Sequence, residues 1–291
     1  MAIEVKGHSG CTIDVVREGK DLFVYKSSRD ASYLDRLCNQ AVKQREAAAQ
    51  AFKHIRVPAI LDLRRTASEV SVKMEYVYSK NFIEFFEQAD ASQILSLSTA
   101  LIDFVESEIA MSHVTVVPAD VMTSKMESVA GRVAANSAIN GDAEVAEIVA
   151  RSRDLFAACG DMALPVGRCH GDLTFSNILF SGTNYYFIDF LDSFIEAPLM
   201  DIVKLRQDTS HGWSQLMYTK RFDSVRQRIV NDKIDEALDA HFRKKYAWYA
   251  RYYAPMQLMN FLRILQYAHD PRVISYLKTT IHKLLREETT N

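Results

Sequence analysis

Apolar and polar residues alternate with period two at the start of the chain and then change period, and the changes mark out its elements. In TIDVVREGKDLFVYK, residues 12–26, two alternating runs flank Glu18, Gly19, Lys20 and Asp21, which predicts a β-hairpin. SYLDRLCNQAVKQREAAAQAF then places Leu34, Leu37, Ala41, Ala48 and Phe52 at helical spacing in an Ala- and Gln-rich background, which predicts a helix. VPAILDL and SEVSVKMEYVY return to strand character. Residues 1–78 therefore read as a small sheet with one inserted helix.

After Ser79 the pattern is mainly helical, near 81–88, 91–110, 121–136 and 143–159 and again from 198 to the end. One strand-like interruption, VGRCHGDLTFSNILF followed by NYYFIDF, surrounds a turn at Ser181 and Gly182. SAINGDAE, 137–144, reads as an exposed loop. The expected fold class is α+β, with a small lobe over 1–78 and a larger helical lobe over 79–291.

Composition narrows the function. Apolar residues make up 48% and charged residues 25% of 291, ordinary globular usage with material for a core. A net charge of −2 without a dense basic block argues against binding nucleic acid or a membrane surface through charge. MAIEVKGHSG lacks the apolar run of a secretory signal, and Cys11, Cys38, Cys159 and Cys169 form no CxxC pair. A reducing cytoplasm is expected, and a zinc site is not.

The chemistry concentrates in CHGDLTFSNIL, 169–179. Asp172 and Asn177 stand five residues apart, and Asp189 follows the apolar run YYFI. Phosphoryl transfer needs one carboxylate to orient the attacking hydroxyl, and an amide oxygen with a second carboxylate to hold Mg²⁺ against nucleotide phosphates. As turn, cap or strand-end residues each would be unremarked singly; their joint order and spacing favour the chemical use.

HGDxxxxN followed by IDF resembles the HRDxxxxN and DFG elements of kinases, with Gly171 in place of Arg and Leu191 in place of the last Gly. With Asp201 in APLMDIVKL, it resembles the aminoglycoside phosphotransferase and choline kinase superfamily, most strongly over 168–206. That resemblance implies a protein-kinase-like bilobal fold and an ATP- and Mg²⁺-dependent transfer to a small-molecule hydroxyl. It implies that Asp172 is catalytic, that Asn177 and Asp189 bind metal, and that His170 and Asp201 support the loop. Helix N-capping would also account for Asp201.

The small lobe would then bind nucleotide. Gly7, Ser9 and Gly10 in KGHSGC can bring backbone N–H groups to phosphates, although a bare turn is the commoner use of so short a glycine motif. Lys26 shares the face of Leu22 and Val24 and needs a charged partner. The resemblance implies a phosphate-contacting lysine there, paired with a helix glutamate, and Glu46 is the only acid between Arg36 and Leu61. A solvated strand end and an exposed helix charge are the alternatives for these two. In MEYVY, backbone groups of Glu75 and Val77 would meet the adenine edge; a plain linker reads the same way.

In YAWYARYYAPMQLMNFLRILQY, packing explains most positions, leaving Arg251, Asn260 and Arg263 as candidate acceptor contacts. No acidic cluster suited to cationic sugars is found near the C-terminus. Two other functions compete: a protein kinase, disfavoured by the short stretch between Asp189 and Asp201, and a catalytically silent nucleotide-binding scaffold, disfavoured by the intact Asp172, Asn177, Asp189 and Lys26.

Overall fold

Gly19, at φ 64°, makes the first hairpin turn, as the alternation predicts. The structure, a computed structural model, describes residues 3–5 and 11–290. Its first sheet is antiparallel, built from β1 (Ile3–Val5), β2 (Thr12–Glu18), β3 (Asp21–Ser28), β5 (Ile60–Arg65) and β6 (Val70–Glu75) in the order β1-β2-β3-β6-β5. The helix α1 (Leu34–Ala48) turns Leu34, Leu37 and Ala41 onto Val70, Val72 and Met74, a small core of its own. The two-residue strand β4 (Ile55–Arg56), between α1 and β5, leaves this sheet.

The chain crosses to the second half through residues 76–80, where Lys80 and Phe180 exchange backbone hydrogen bonds of 2.8 and 3.1 Å. The helices there begin where the sequence supplies caps. Asn81 with Glu84, and Asp90 with Gln93, form reciprocal capping boxes for α2 (Phe82–Gln88) and α3 (Ala91–Ala110). Next come β7 (His113–Val117), α4 (Ala119–Ala135), α5 (Ala143–Ala158) and β8 (Met162–Val166). Asp142, in the expected loop, caps α5. The strands β9 (Ile178–Ser181) and β10 (Asn184–Phe187) form a hairpin. Five helices complete the chain: α6 (Pro198–Thr209), α7 (Trp213–Leu216), α8 (Ser224–Lys245), α9 (Ala247–Leu265) and α10 (Pro271–Thr290). Among the described residues, no helix is long and apolar enough to cross a membrane.

The structure departs from the sequence reading in three places. HVTVV, 113–117, is a strand paired with β8. Residues 167–177 lie outside the strands, and only 162–166, 178–181 and 184–187 of that region form β8, β9 and β10. Finally, β4 pairs in parallel with β10, so Ile55 is buried in the large core of the helical half. That core is aromatic: Phe175, in the loop before β9, lies 5.9 Å from the Phe82 ring and 5.1 Å from that of Phe86. Fully burying such a ring is worth about 2–3 kcal/mol, which anchors the loop to α2.

Candidate active site

The polar residues of 169–179 form a loop whose backbone groups are held from several sides. The buried Asp201 carboxylate accepts the N–H of His170 at 2.5 Å and that of Gly171 at 2.8 Å. Asp201 lies within the first turn of α6, whose N-cap is Ala197, so it serves the loop rather than capping its own helix. Burial pushes its carboxyl up to about 8, against the opposing pull of the two N–H bonds. Asp208, two turns along α6, accepts the N–H of Phe175 at 2.6 Å. Burial likewise pushes Asp208 up to about 6.

His170 is fully buried, its ring 4.2 Å from that of Phe190. Its Nδ1 accepts the Asp172 N–H at 3.2 Å, and its Nε2 lies 2.9 Å from the Ile188 carbonyl. Only the neutral Nε2–H tautomer satisfies both contacts. Burial pushes its pKa down to about 4, consistent with that form. The 188–191 segment is tied to the loop again by Ile188 N–H to Asn177 O at 3.1 Å and Leu191 N–H to His170 O at 2.8 Å. Gly171 sits at this seam with φ 87°, where a Cβ would lie 1.9 Å from Leu191 O.

Asp172 and Asn177 meet directly: Asn177 Nδ2 donates to the Asp172 carbonyl at 2.7 Å and to its Oδ2 at 3.1 Å. With its nitrogen committed to Asp172, Asn177 has its amide oxygen left for another partner. Lys204 Nζ lies 3.1 Å from Asp172 Oδ1, and the carboxylate remains 29% exposed. Burial works to raise the Asp172 carboxyl, but Lys204, His170 and Asn177 outweigh it and hold it below the usual carboxylate range.

Asp189 has φ 64°, alone among the described non-glycine residues in the left-handed region. Its carboxylate is ion-paired with Lys26 of β3, joining the first sheet to the loop region. This corrects the expected partner of Lys26. Glu46 is exposed and lines a cavity of about 420 Å³ with Asn39, Lys43, Asp192 and Glu196, a lining that does not include Lys26. The helix instead contributes a cation: Lys43 Nζ donates to Glu196 Oε2 at 2.7 Å and to Leu191 O at 2.6 Å.

Glu75 ends β6, and its N–H donates to Ala59 O at 3.0 Å; Val77 follows in the crossing segment. Gly7, Ser9 and Gly10 lie outside the described residues. Of the polar positions in α9, Arg251 is exposed, and Asn260 is buried with its Nδ2 on Gln207 Oε1 at 2.7 Å. Arg263 is partly buried, its guanidinium 5.1 Å from the centroid of the Phe194 ring.

Sequence reasoning missed Lys204 and Asp208. Asp201, Lys204 and Asp208 stand at i, i+3 and i+7 on one face of α6, a helix in which every residue but Lys204 is buried. That charged stripe in an apolar helix is the signal that would have found them.

The family described as "Phosphotransferase enzyme family" matches residues 18–237. No curated protein sequence matches the chain significantly. Among solved structures, a thermostable mutant of aminoglycoside phosphotransferase APH(4)-Ia, in ternary complex with AMP-PNP and hygromycin B, superposes with a TM-score of 0.65. It is 10% identical over all of this chain and 95% of that one. The GDP and kanamycin complex of APH(2")-IIia gives 0.64 at 13% identity, covering 100% and 94%. A choline/ethanolamine kinase family protein from Mesorhizobium loti gives 0.58 at 18%, covering 99% and 88%. The fold is therefore the protein-kinase-like one of these phosphotransferases.

Proposed function

The chain belongs to the phosphotransferase enzyme family, and on that premise we propose that it transfers the γ-phosphate of ATP to a hydroxyl of a small molecule. One observation carries the reading. Asp172, held ionised by Lys204 and oriented by Asn177, shares a laced backbone unit with Asp189, which reaches Lys26 in the first sheet.

In this reading Asp172 accepts the hydrogen bond of the acceptor hydroxyl and takes its proton as the phosphoryl group is transferred. His170 and Asp201 touch neither substrate; they fix the loop that carries Asp172. The Asp189 carboxylate and the Asn177 amide oxygen are hard oxygen donors fit for Mg²⁺, which when bound would neutralise phosphate charge. Lys26 exchanges its contact with Asp189 for the α- and β-phosphates, and backbone groups of Glu75 and Val77 meet the adenine. The helical half supplies the acceptor site. A small acceptor rather than a polypeptide is favoured by the eleven residues, 190–200, between Asp189 and Asp201, which leave little room for a peptide-docking segment.

The test is an ATP-consumption screen over sugars, aminoglycosides, choline-like alcohols and nucleosides, with the product's added phosphate confirmed by mass, alongside calorimetry of ATP with and without Mg²⁺. Mg²⁺-dependent ATP binding with transfer to a small hydroxyl compound is expected. ATP binding that is indifferent to Mg²⁺, or absent, contradicts the reading.

A further inference from the structure

Two cations meet over the Phe194 ring, in the segment that follows Asp189, and neither has a carboxylate for a partner. Arg263, near the end of α9, has its guanidinium 5.1 Å from the centroid of the Phe194 ring, and Lys125 of α4 stands 5.4 Å from the same ring. Arg132, two turns beyond Lys125 and so on the same face of α4, lies over the Tyr267 ring and donates to its hydroxyl. Tyr267 is one turn past Arg263. Among the described residues, no acid forms an ion pair with Lys125, Arg132 or Arg263.

Arg206 shows what a buried cation of this protein has when its role is to hold the fold. Its guanidinium meets Asp235 at 2.7 Å, Asp239 at 2.6 Å and the Tyr249 hydroxyl at 2.8 Å. Lys125 has the opposite surroundings: burial, then the charges of Arg263 and Arg132, push its ammonium down. Burial pushes the Arg263 guanidinium down too; Asp172 and Tyr267 draw it up, and Arg36 and Arg132 oppose them. Asp172, the one carboxylate in this set, is already paired with Lys204.

Lys125 and Arg263, both partly buried on the Phe194 ring, repel one another, and the ring face repays only part of their desolvation while no anion is present; Arg132 is exposed beside them. An anion seated among them relieves both costs through charge-assisted hydrogen bonds. The reading above gives the nucleotide phosphates to Lys26 and the Asp189 side of the cleft, which leaves the α4 and α9 cations to the other substrate.

The geometry points to the face formed by Lys125, Arg132, Phe194 and Arg263 as an acceptor subsite for an anionic hydroxyl compound, one bearing a carboxylate or a phosphate. This rests on Asp172 being the residue that meets the acceptor hydroxyl. Its charge preference is opposite to that of an acidic site for cationic sugars.

The test is calorimetry on the full chain at saturating ADP, with four hexoses that share a scaffold: glucose, glucosamine, D-glucuronate and glucose 6-phosphate. At least one anionic hexose is expected to bind roughly 10-fold or more tighter than glucose, with glucosamine the weakest. Lys125→Gln and Arg263→Gln should each remove most of that preference while leaving ADP affinity unchanged. Lys125 is the less buried of the two, so its variant decides the matter if Arg263→Gln folds poorly. A response to D-glucuronate alone identifies a carboxylate site, and one to glucose 6-phosphate alone a phosphate site. No preference for either anion, or a preference that survives both substitutions, overturns the proposal. Failure of the parent chain to bind ADP would count against the phosphotransferase reading instead, and the same hexoses titrated without nucleotide would still decide the acceptor's charge.

Discussion

Lys204 Nζ lies 3.1 Å from Asp172 Oδ1, one turn beyond Asp201 on the same face of α6, so one helix both holds the loop backbone and fixes the charge of the loop's carboxylate. Two consequences of α6 are therefore separable: Asp201 governs where Asp172 sits, and Lys204 governs when it is ionised.

Replacing Lys204 with Gln should move the acid limb of ADP formation to higher pH, because Asp172 loses the cation that holds its carboxyl low. The rate requires ionised Asp172 and falls as pH drops through its pKa, so a raised pKa brings the fall earlier on acidification. A pH–rate profile compares the two proteins. Superimposable acid limbs would remove Lys204 from this role.

The His170 ring should stay neutral, as the Nε2–H tautomer, throughout pH 5–7. Its folded pKa of about 4 lies below the ordinary value of 6.5, so the unfolded chain binds more protons between those values. The contribution to stability is complete above pH 6.5 and is lost as pH falls towards 4, a matter of a few kcal/mol. Nitrogen chemical shifts of the ring read both tautomer and titration. A midpoint near 6.5 would contradict the buried, neutral assignment.

Gly171→Ala should destabilise the fold by about 3 kcal/mol or more, since φ 87° is strained for an L side chain and the new Cβ would fall 1.9 Å from Leu191 O. Leu191 cannot simply withdraw, because its N–H is bonded to His170 O at 2.8 Å. Urea unfolding gives the number, and a cost under about 1 kcal/mol would show that the seam between the two segments is loose.

Lys26 and Glu46 should prove independent. Lys26→Ala is expected to weaken ATP binding by roughly tenfold, the scale of a charge-assisted contact, while Glu46→Ala, an exposed change, should leave binding within experimental error. In a double-mutant cycle on ATP affinity the two effects should add. A coupling above about 1 kcal/mol would restore the helix glutamate as the partner of Lys26.

What could be read from sequence was local. His170, Asp172 and Asn177 lie within eight residues, and Asp189 follows after one hairpin, so residue type and spacing alone mark them. The partner of Lys26 could not be reached that way, because it depends on which face α1 turns inward. Leu37, Ala41, Gln44 and Ala47 form the buried stripe, and Glu46 lies off it. Being the sole acid of that stretch said nothing about direction. The strand HVTVV carries a local signal that the sequence reading left unused, β-branched residues at four of its five positions, although four of the five are exposed and only Val117 is buried. Ile55 and Arg56 were assigned with their sequence neighbours, whereas parallel pairing with Tyr185 and Tyr186 takes them into the other half, a contact across about 130 positions that no local pattern encodes.

The central claim is that Asp172 is the group that accepts the acceptor's proton. The measurement is single-turnover phosphoryl transfer by Asp172→Asn, with enzyme saturated by Mg²⁺-ATP and by an acceptor found in the screen, the product quantified by mass. The substitution keeps the size of the side chain and its place beside Asn177 but removes the charge. Nucleotide affinity and thermal stability should stay close to the parent's, and the rate should fall by roughly 10²-fold or more, the scale of losing a general base. An Asp172→Asn protein that binds nucleotide normally and transfers phosphate at the parent's rate would contradict the account.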